Sequence, residues 1–406
     1  MTIRPALTLL CVLAPLLVGA DTLEDYGNLT GKTVLRPSTL PRLPDSITAD
    51  LPADKTNAIA RIERALAEQG LVVLQDGPHF VRISRKEARE SLTNAPLRGA
   101  ELAPLNGQET VAPGMINLGG ADLNQVLEIY AALSQRTVLR PATLPAPTIK
   151  LKTQCPLTRQ EVVYAIATVL ALNGICLVDD GAKFVQAVPM AQRKEVMTGA
   201  PKPEPGAELM PAGSIDFSGV DLNQALAFYA DMRQRTILHP ATLPRPTVSL
   251  KTQCALTREE AIYALAKVFE LDGICLVDDG AKFVQVVPMA QRTWVKTRAP
   301  KPEPGAKLFD PEKVPSMGLS SFPGPQRETD RNAAQRLLEF YADLAGKTAV
   351  PEPKYERASI WFHISTPLSK SDLLYAIETT FALNGFAIIP VDGQSIRLDR
   401  LSSTGK

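Results

Sequence analysis

The sequence predicts an α+β fold: four tandem small domains, each with two helices and a small mixed sheet, joined by proline-rich links. Three observations predict it. The stretch Thr137–Pro189, TVLRPATLPAPTIKLKTQCPLTRQEVVYAIATVLALNGICLVDDGAKFVQAVP, has a near-copy at Thr236–Pro288, a spacing of 99 residues, and so close a repeat is a repeated structural unit. Fixed columns extend the repeat to four segments. Tyr26, Tyr130, Tyr229 and Tyr341 each stand 44 residues before Gly70, Gly174, Gly273 and Gly385, with Thr33, Thr137, Thr236 and Thr348 between them. Finally, apolar spacing in each segment switches between the strand period of two and the helix period of three to four. The resulting order is strand, helix, strand, strand, helix, hairpin.

Composition narrows the function classes. Of 406 residues, 45% are hydrophobic and 21% charged, the balance of a globular chain. The net charge is +1 with signs interspersed, which argues against a nucleic-acid partner. At the N-terminus, Arg4, the apolar run Pro5–Leu17 and Val18-Gly19-Ala20 read as a secretory signal over residues 1–20, cleaved before Asp21. Cys11 lies inside the apolar run and is not read as a lipidation site. The expected mature protein is exported, to the periplasm or the outer-membrane surface of a Gram-negative-type bacterium. No later segment suits a spanning helix.

The first domain, residues 21–85, is expected to be truncated, beginning mid-helix around Tyr26. Asp54 caps its second helix, and a hairpin turns at Asp76-Gly77. Residues 86–113 are a link. The second domain, 114–190, opens with a short strand, Met115, Ile116, Asn117 and Leu118, followed by a Gly119-Gly120 turn. Asp122, with Gln125 three residues on, starts a helix whose stripe is Leu123, Val126, Leu127 and Tyr130. Strands follow at Arg136–Leu139 and Thr148–Thr153. Thr158 with Glu161 opens the second helix, Asn173-Gly174 ends it, and a hairpin turns at Asp180-Gly181. The third domain, 213–289, follows the same path, with its opening strand at Ser214, Ile215, Asp216 and Phe217. The links 191–212 and 290–315 both contain APKPEPGA, read as stiff extended spacers. The fourth domain, 316–402, is divergent, with a loop-like insertion at Ser320–Arg331. Ser369 with Asp372 opens its second helix.

The pattern INLGGADLNQVLEIYAALSQRTVL … IKLKTQCPLTRQEVVYAIATVLALNGICLVDDGAKFVQAVP resembles the N-terminal periplasmic "N-zero" domain of type II secretion secretins. The short signalling domain of TonB-dependent receptors is similar. The ending over Leu170–Pro189 is the most specific part. The resemblance covers the second and third segments well, the fourth moderately and the first partially. It implies a soluble module that contacts envelope proteins, secretion-system components among them. No pore domain is implied, because only the periplasmic arm of a secretin is matched. The alternative is an envelope signalling or ligand-binding module that shares the fold alone.

No residue constellation points to chemistry, so no catalytic, cofactor-binding or metal-ligating residue is assigned and no cofactor is expected. Cys155, Cys176, Cys254 and Cys275 lack metal spacing, and a helix separates each pair, which favours buried free thiols over a disulfide. His79, His239 and His363 occupy different columns and read as surface or strand-end residues. Tyr164, Tyr263 and Tyr375 share a column that reads as partly buried packing. Asp179-Asp180 and Asp278-Asp279 read as turn residues. The candidate interaction sites are the opening strands, residues 115–118 and 214–217, because an open sheet leaves an edge to which a partner strand can add. The sequence does not fix an oligomeric state.

Overall fold

A computed structural model describes residues 22–40, 52–86, 110–316, 333–355, 358 and 360–401. The expected signal segment, most of the link over 86–113 and the loop at Ser320–Arg331 lie outside these residues. The chain is mixed α+β with small sheets and divides into two compact units, Met1–Ser134 with Ala146–Ile175, and Gln135–Pro145 with Cys176–Lys406.

In the first unit, α1 (Thr22–Thr30), β1 (Thr33–Leu35), α2 (Lys55–Glu68), β2 (Leu71–Asp76) and β3 (Phe80–Arg85) form the first segment. The hairpin β2–β3 is antiparallel, and β1 joins β3 in parallel with Thr33 opposite Phe80. Leu23, Tyr26, Ile62, Leu66, Val81 and Ile83 make its core. The Asp54 side chain accepts from Asn57 N to cap α2. The same unit holds β4 (Thr110–Val111), β5 (Asn117–Ala121), α3 (Leu123–Ser134), and later β7 (Ile149–Lys152), β8 (Leu157–Thr158) and α4 (Arg159–Leu172). Here β5 pairs antiparallel with β7, and β4 with β8. Thr158 and Glu161 close a reciprocal capping box on α4, which satisfies two of the free N–H groups at the helix start.

In the second unit, β6 (Thr137–Leu139), β9 (Ile175–Asp180) and β10 (Phe184–Pro189) form a sheet ordered β6-β10-β9. The third segment follows with β11 (Leu209–Met210), β12 (Asp216–Asp221), α5 (Leu222–Arg233), β13 (Thr236–Leu238), β14 (Thr247–Lys251), β15 (Leu256–Thr257), α6 (Arg258–Leu271), β16 (Ile274–Asp279) and β17 (Phe283–Pro288). Its hairpin β16–β17 is antiparallel, β13 joins β17 in parallel, and β12 pairs with β14. The fourth segment supplies β18 (Leu308–Phe309), α7 (Ala333–Ala345), β19 (Thr348–Ala349), β20 (Leu368–Ser369), α8 (Lys370–Leu383), β21 (Phe386–Pro390) and β22 (Ser395–Arg400). Capping boxes open α6 at Thr257–Glu260 and α8 at Ser369–Asp372. After α5, Gln234 adopts φ 53, where the matching positions Gly31 and Gly346 carry glycine. The left-handed turn that ends the helix tolerates glutamine there, at a cost glycine avoids.

Two expectations about the fold need correction. Gly119 and Gly120 are not a turn: both lie within β5, at a bulge between Gly119 and Ala121. The proline-rich links are not free spacers. Gly199 N and Ala200 N both donate to Asp180, and Leu209–Met210 at the far end of that link pairs with β15. Leu308–Phe309 pairs with β20 in the same way, so each link ends as a strand of the segment that follows. Glycine and proline content marked the links but not these docked ends.

Candidate functional site

Both proposed opening strands exist, shifted by about two residues: β5 begins at Asn117 and β12 at Asp216. Met115 and Ser214 lie before them and are exposed. Among the described residues, each strand has a single ladder partner, β7 or β14. The far side of β7 lies against β1, and the far side of β14 against β6. The open edges therefore belong to β5 and β12. Asn117, Gly119, Asp216 and Ser218 are exposed, while Leu118 and Ile215 point into the cores.

Register decides which backbone groups face outward. Thr153 N donates to Ile116 O, and Thr252 N to Ile215 O. In an antiparallel pair, residues that exchange ladder bonds alternate with residues whose N–H and C=O point away. Ile116, Leu118, Ile215 and Phe217 thus face their own ladder. Asn117, Gly119, Asp216 and Ser218 present outward groups. Sequence reasoning placed the strands but could not tell inward from outward positions, because that alternation depends on the partner's register. The bulges between Gly119 and Ala121 and between Ser218 and Val220 end each open stretch after about three residues, which also limits unwanted edge pairing.

The segments meet through a second recurring constellation that sequence analysis did not foresee. In the first unit, the Tyr164 ring on α4 packs tilted against Phe80 of the preceding segment, centroids 5.4 Å apart, and its hydroxyl donates to Asp76 at 2.5 Å. In the second unit, Tyr263 repeats this with Phe184 at 5.7 Å and Asp180 at 2.5 Å. Tyr375 does so with Phe283 at 5.4 Å and with Asp279. The capping carboxylates take part too: Glu161 pairs with His79 at 2.6 Å, Glu260 with Lys183 at 2.7 Å and Asp372 with Lys282 at 2.5 Å. Thr33, Thr137 and Thr236 accept through Oγ1 from the backbone N of Gln154, Gln253 and Ser365. Ser38, Ala142 and Ala241 donate their backbone N–H to the helix-ending side chains Asn173, Asp272 and Asn384.

This reassigns several residues. Asp180 is not simply a turn residue. It is fully buried and accepts from Tyr263, Gln186, Gly199 and Ala200, while its neighbour Asp179 is exposed and pairs with Arg136 at 2.5 Å. Burial alone would raise the Asp180 pKa, but these donors outweigh it and hold it below the usual aspartate value. Glu161 and Asp372 are lowered in the same way, by cap and junction bonds acting against burial. Desolvation and the facing carboxylate push Tyr164 and Tyr375 up to about 12. His239 is a strand-end residue, directly after β13, but not a surface one: it is buried and stacked on Trp361 at 4.1 Å, and burial lowers its pKa to about 4.

Cys155, Cys176, Cys254 and Cys275 are free thiols. Burial raises the pKa of Cys155, Cys176 and Cys275, so little thiolate is available to react. Titrated with a thiol reagent, the native protein should label slowly at these three positions. Unfolded without reductant, it should label at all four, and a cystine found by peptide mapping would contradict this.

Among the described residues, no helix is long and apolar enough to cross a membrane. The chain matches no family model, no curated protein and no solved structure.

Proposed function

We propose that the chain is a non-enzymatic, exported interaction scaffold of four tandem N-zero-like domains, the first truncated. It takes up extended segments of envelope proteins, secretion-system components among them, along the outer edges of β5 and β12. The observation that carries this reading is the pair of open edges. Each is backed by a covered inner strand and presents two exposed residues with outward backbone groups. Strand addition draws affinity from such groups and selectivity from the alternating side chains. Two edges with the same backbone pattern on one chain make a second contact intramolecular, which raises avidity without new chemistry.

The test uses the full-length protein carrying Asn117→Pro, Asp216→Pro or both. Proline removes an outward N–H and leaves the inward ladder intact. Proteins captured from envelope extract by the wild type would be titrated individually by calorimetry. Each single substitution should weaken binding by about tenfold, the ~1.4 kcal/mol of one backbone hydrogen bond, and the pair by more than either. Undiminished affinity in variants that melt like the wild type would place the contact elsewhere.

A further inference from the structure

The junctions are heterologous: a sheet side on one segment meets a helix side on the next. The sheet side is an aspartate, a cation, a phenylalanine and a backbone N–H, as in Asp180, Lys183, Phe184 and Ala142. The helix side is a carboxylate cap, a tyrosine and a helix-ending acceptor, as in Glu260, Tyr263 and Asp272. Heterologous contacts that do not close on themselves generate open-ended chains of molecules. Repeat arrays avoid this when their terminal repeats carry altered outer faces.

Both terminal segments are altered at these columns. On the first segment, the helix side would use the positions of Glu161, Tyr164 and Asn173. They are occupied by Asn57, Ala60 and Gln69, all exposed. The cap carboxylate, the ring and its hydroxyl are therefore missing. On the fourth segment, the sheet side would use the positions of Asp279, Lys282 and Phe283. They are occupied by Val391, Gln394 and Ser395, with Val391 50% exposed. The position of Ala241 is Pro353, which has no N–H to donate. A tyrosine hydroxyl brought against Val391 would lose its acceptor, at the cost of an unpaired buried polar group.

We infer that the two terminal faces are caps. The junction chemistry is directional, the first segment lacks its helix side and the fourth lacks its sheet side, so copies of the chain do not dock head to tail. This goes beyond the scaffold reading and does not depend on any partner.

Sedimentation velocity on the full-length protein, over about 1–100 μM to span micromolar association, tests it. The wild type should keep one mass throughout. A variant with both sides restored (Asn57→Glu, Ala60→Tyr and Gln69→Asn on one, Pro353→Ala, Val391→Asp, Gln394→Lys and Ser395→Phe on the other) should grow in mass with concentration. Either side's set alone should not. Three results would overturn the inference. One is growth of the wild type that Ala60→Asp or Ser395→Asp abolishes. Another is a fully restored variant that melts like the wild type yet keeps one mass. The last is self-association by one set alone.

Discussion

Replacing Phe283 by alanine is expected to remove about 3–5 kcal/mol, the usual cost of deleting a buried phenylalanine, and to split one unfolding transition into two. Phe283 is 1% exposed and packs with Leu238 into the cluster formed by Leu337, Leu338, Ile377 and Phe381 of the fourth segment. Its ring also meets Tyr375 at 5.4 Å. The residue sits on β17 of the third segment but spends its apolar surface on the fourth. Where stability is a sum of segment and nearest-neighbour terms, weakening one interface uncouples the two sides. Val286, by contrast, lies in a cluster built mainly from the third segment's own residues and containing none of the fourth's. Val286→Ala should lower stability without splitting the transition. Denaturant unfolding followed by far-ultraviolet circular dichroism reads both. A single transition shifted by less than about 1 kcal/mol in Phe283→Ala, small for a cavity of that size, would show that the interface does not couple the segments.

The elements were legible in the sequence because their determinants are local. Asp54, Thr158, Thr257 and Ser369 share one column and all cap helices, since a side chain that accepts from an N–H three residues on needs nothing distant. The hairpins at Asp180 and Asp279 follow from local turn chemistry in the same way. The junctions were not legible because each partner lies about 75 to 145 residues away and each residue already had a sufficient local explanation. Glu161 explains itself as a cap, Asp180 as a turn and Tyr164 as packing, yet each has a second role across a junction. One signal could have exposed them. Tyr164, Tyr263 and Tyr375 have no counterpart in the first segment, and Asp76, Asp180 and Asp279 have none in the fourth. A pair of columns missing at opposite ends of a repeat is what contact between successive copies produces. The docked links were hidden for a different reason: proline content sets stiffness, while docking depends on acceptors such as Asp180 placed elsewhere.

Asp180→Ala is expected to cost about 3–5 kcal/mol, the range for removing one partner from a buried charged network. Four donors converge on this carboxylate: the Tyr263 hydroxyl at 2.5 Å, Gln186 Nε2 at 2.8 Å, Gly199 N at 2.9 Å and Ala200 N at 3.0 Å. Alanine would remove the acceptor of the Tyr263 hydroxyl and one of the two acceptors of Gln186, which keeps Met197 O, and each buried unpaired group costs about 1–3 kcal/mol before relaxation. The link that follows β10 loses its anchor at the same time. The charge itself has a pH signature. The folded Asp180 pKa is lowered by its donors against the opposing effect of burial. Its stabilisation is therefore fully present above the unfolded aspartate value of about 3.9 and is lost as pH falls through the lower, folded value. Glu161 and Asp372 act in the same direction. Tyr164, raised to about 12, sets the opposite limit, because its contribution is lost as pH rises past about 10 toward that value. His239, lowered to about 4 by burial, adds a loss that begins as pH falls below the free histidine value of about 6.5, so the wild type should hold its midpoint from about pH 7 to about pH 10 and lose stability on both sides. Asp180→Asn keeps the shape but removes the titrating group, so its midpoint should start lower at pH 7 and fall less steeply in acid. Equal acid slopes for the wild type and Asp180→Asn, in midpoints measured from about pH 7 down to about pH 3 across the aspartate range, would show that this carboxylate does not carry the acid sensitivity of its junction.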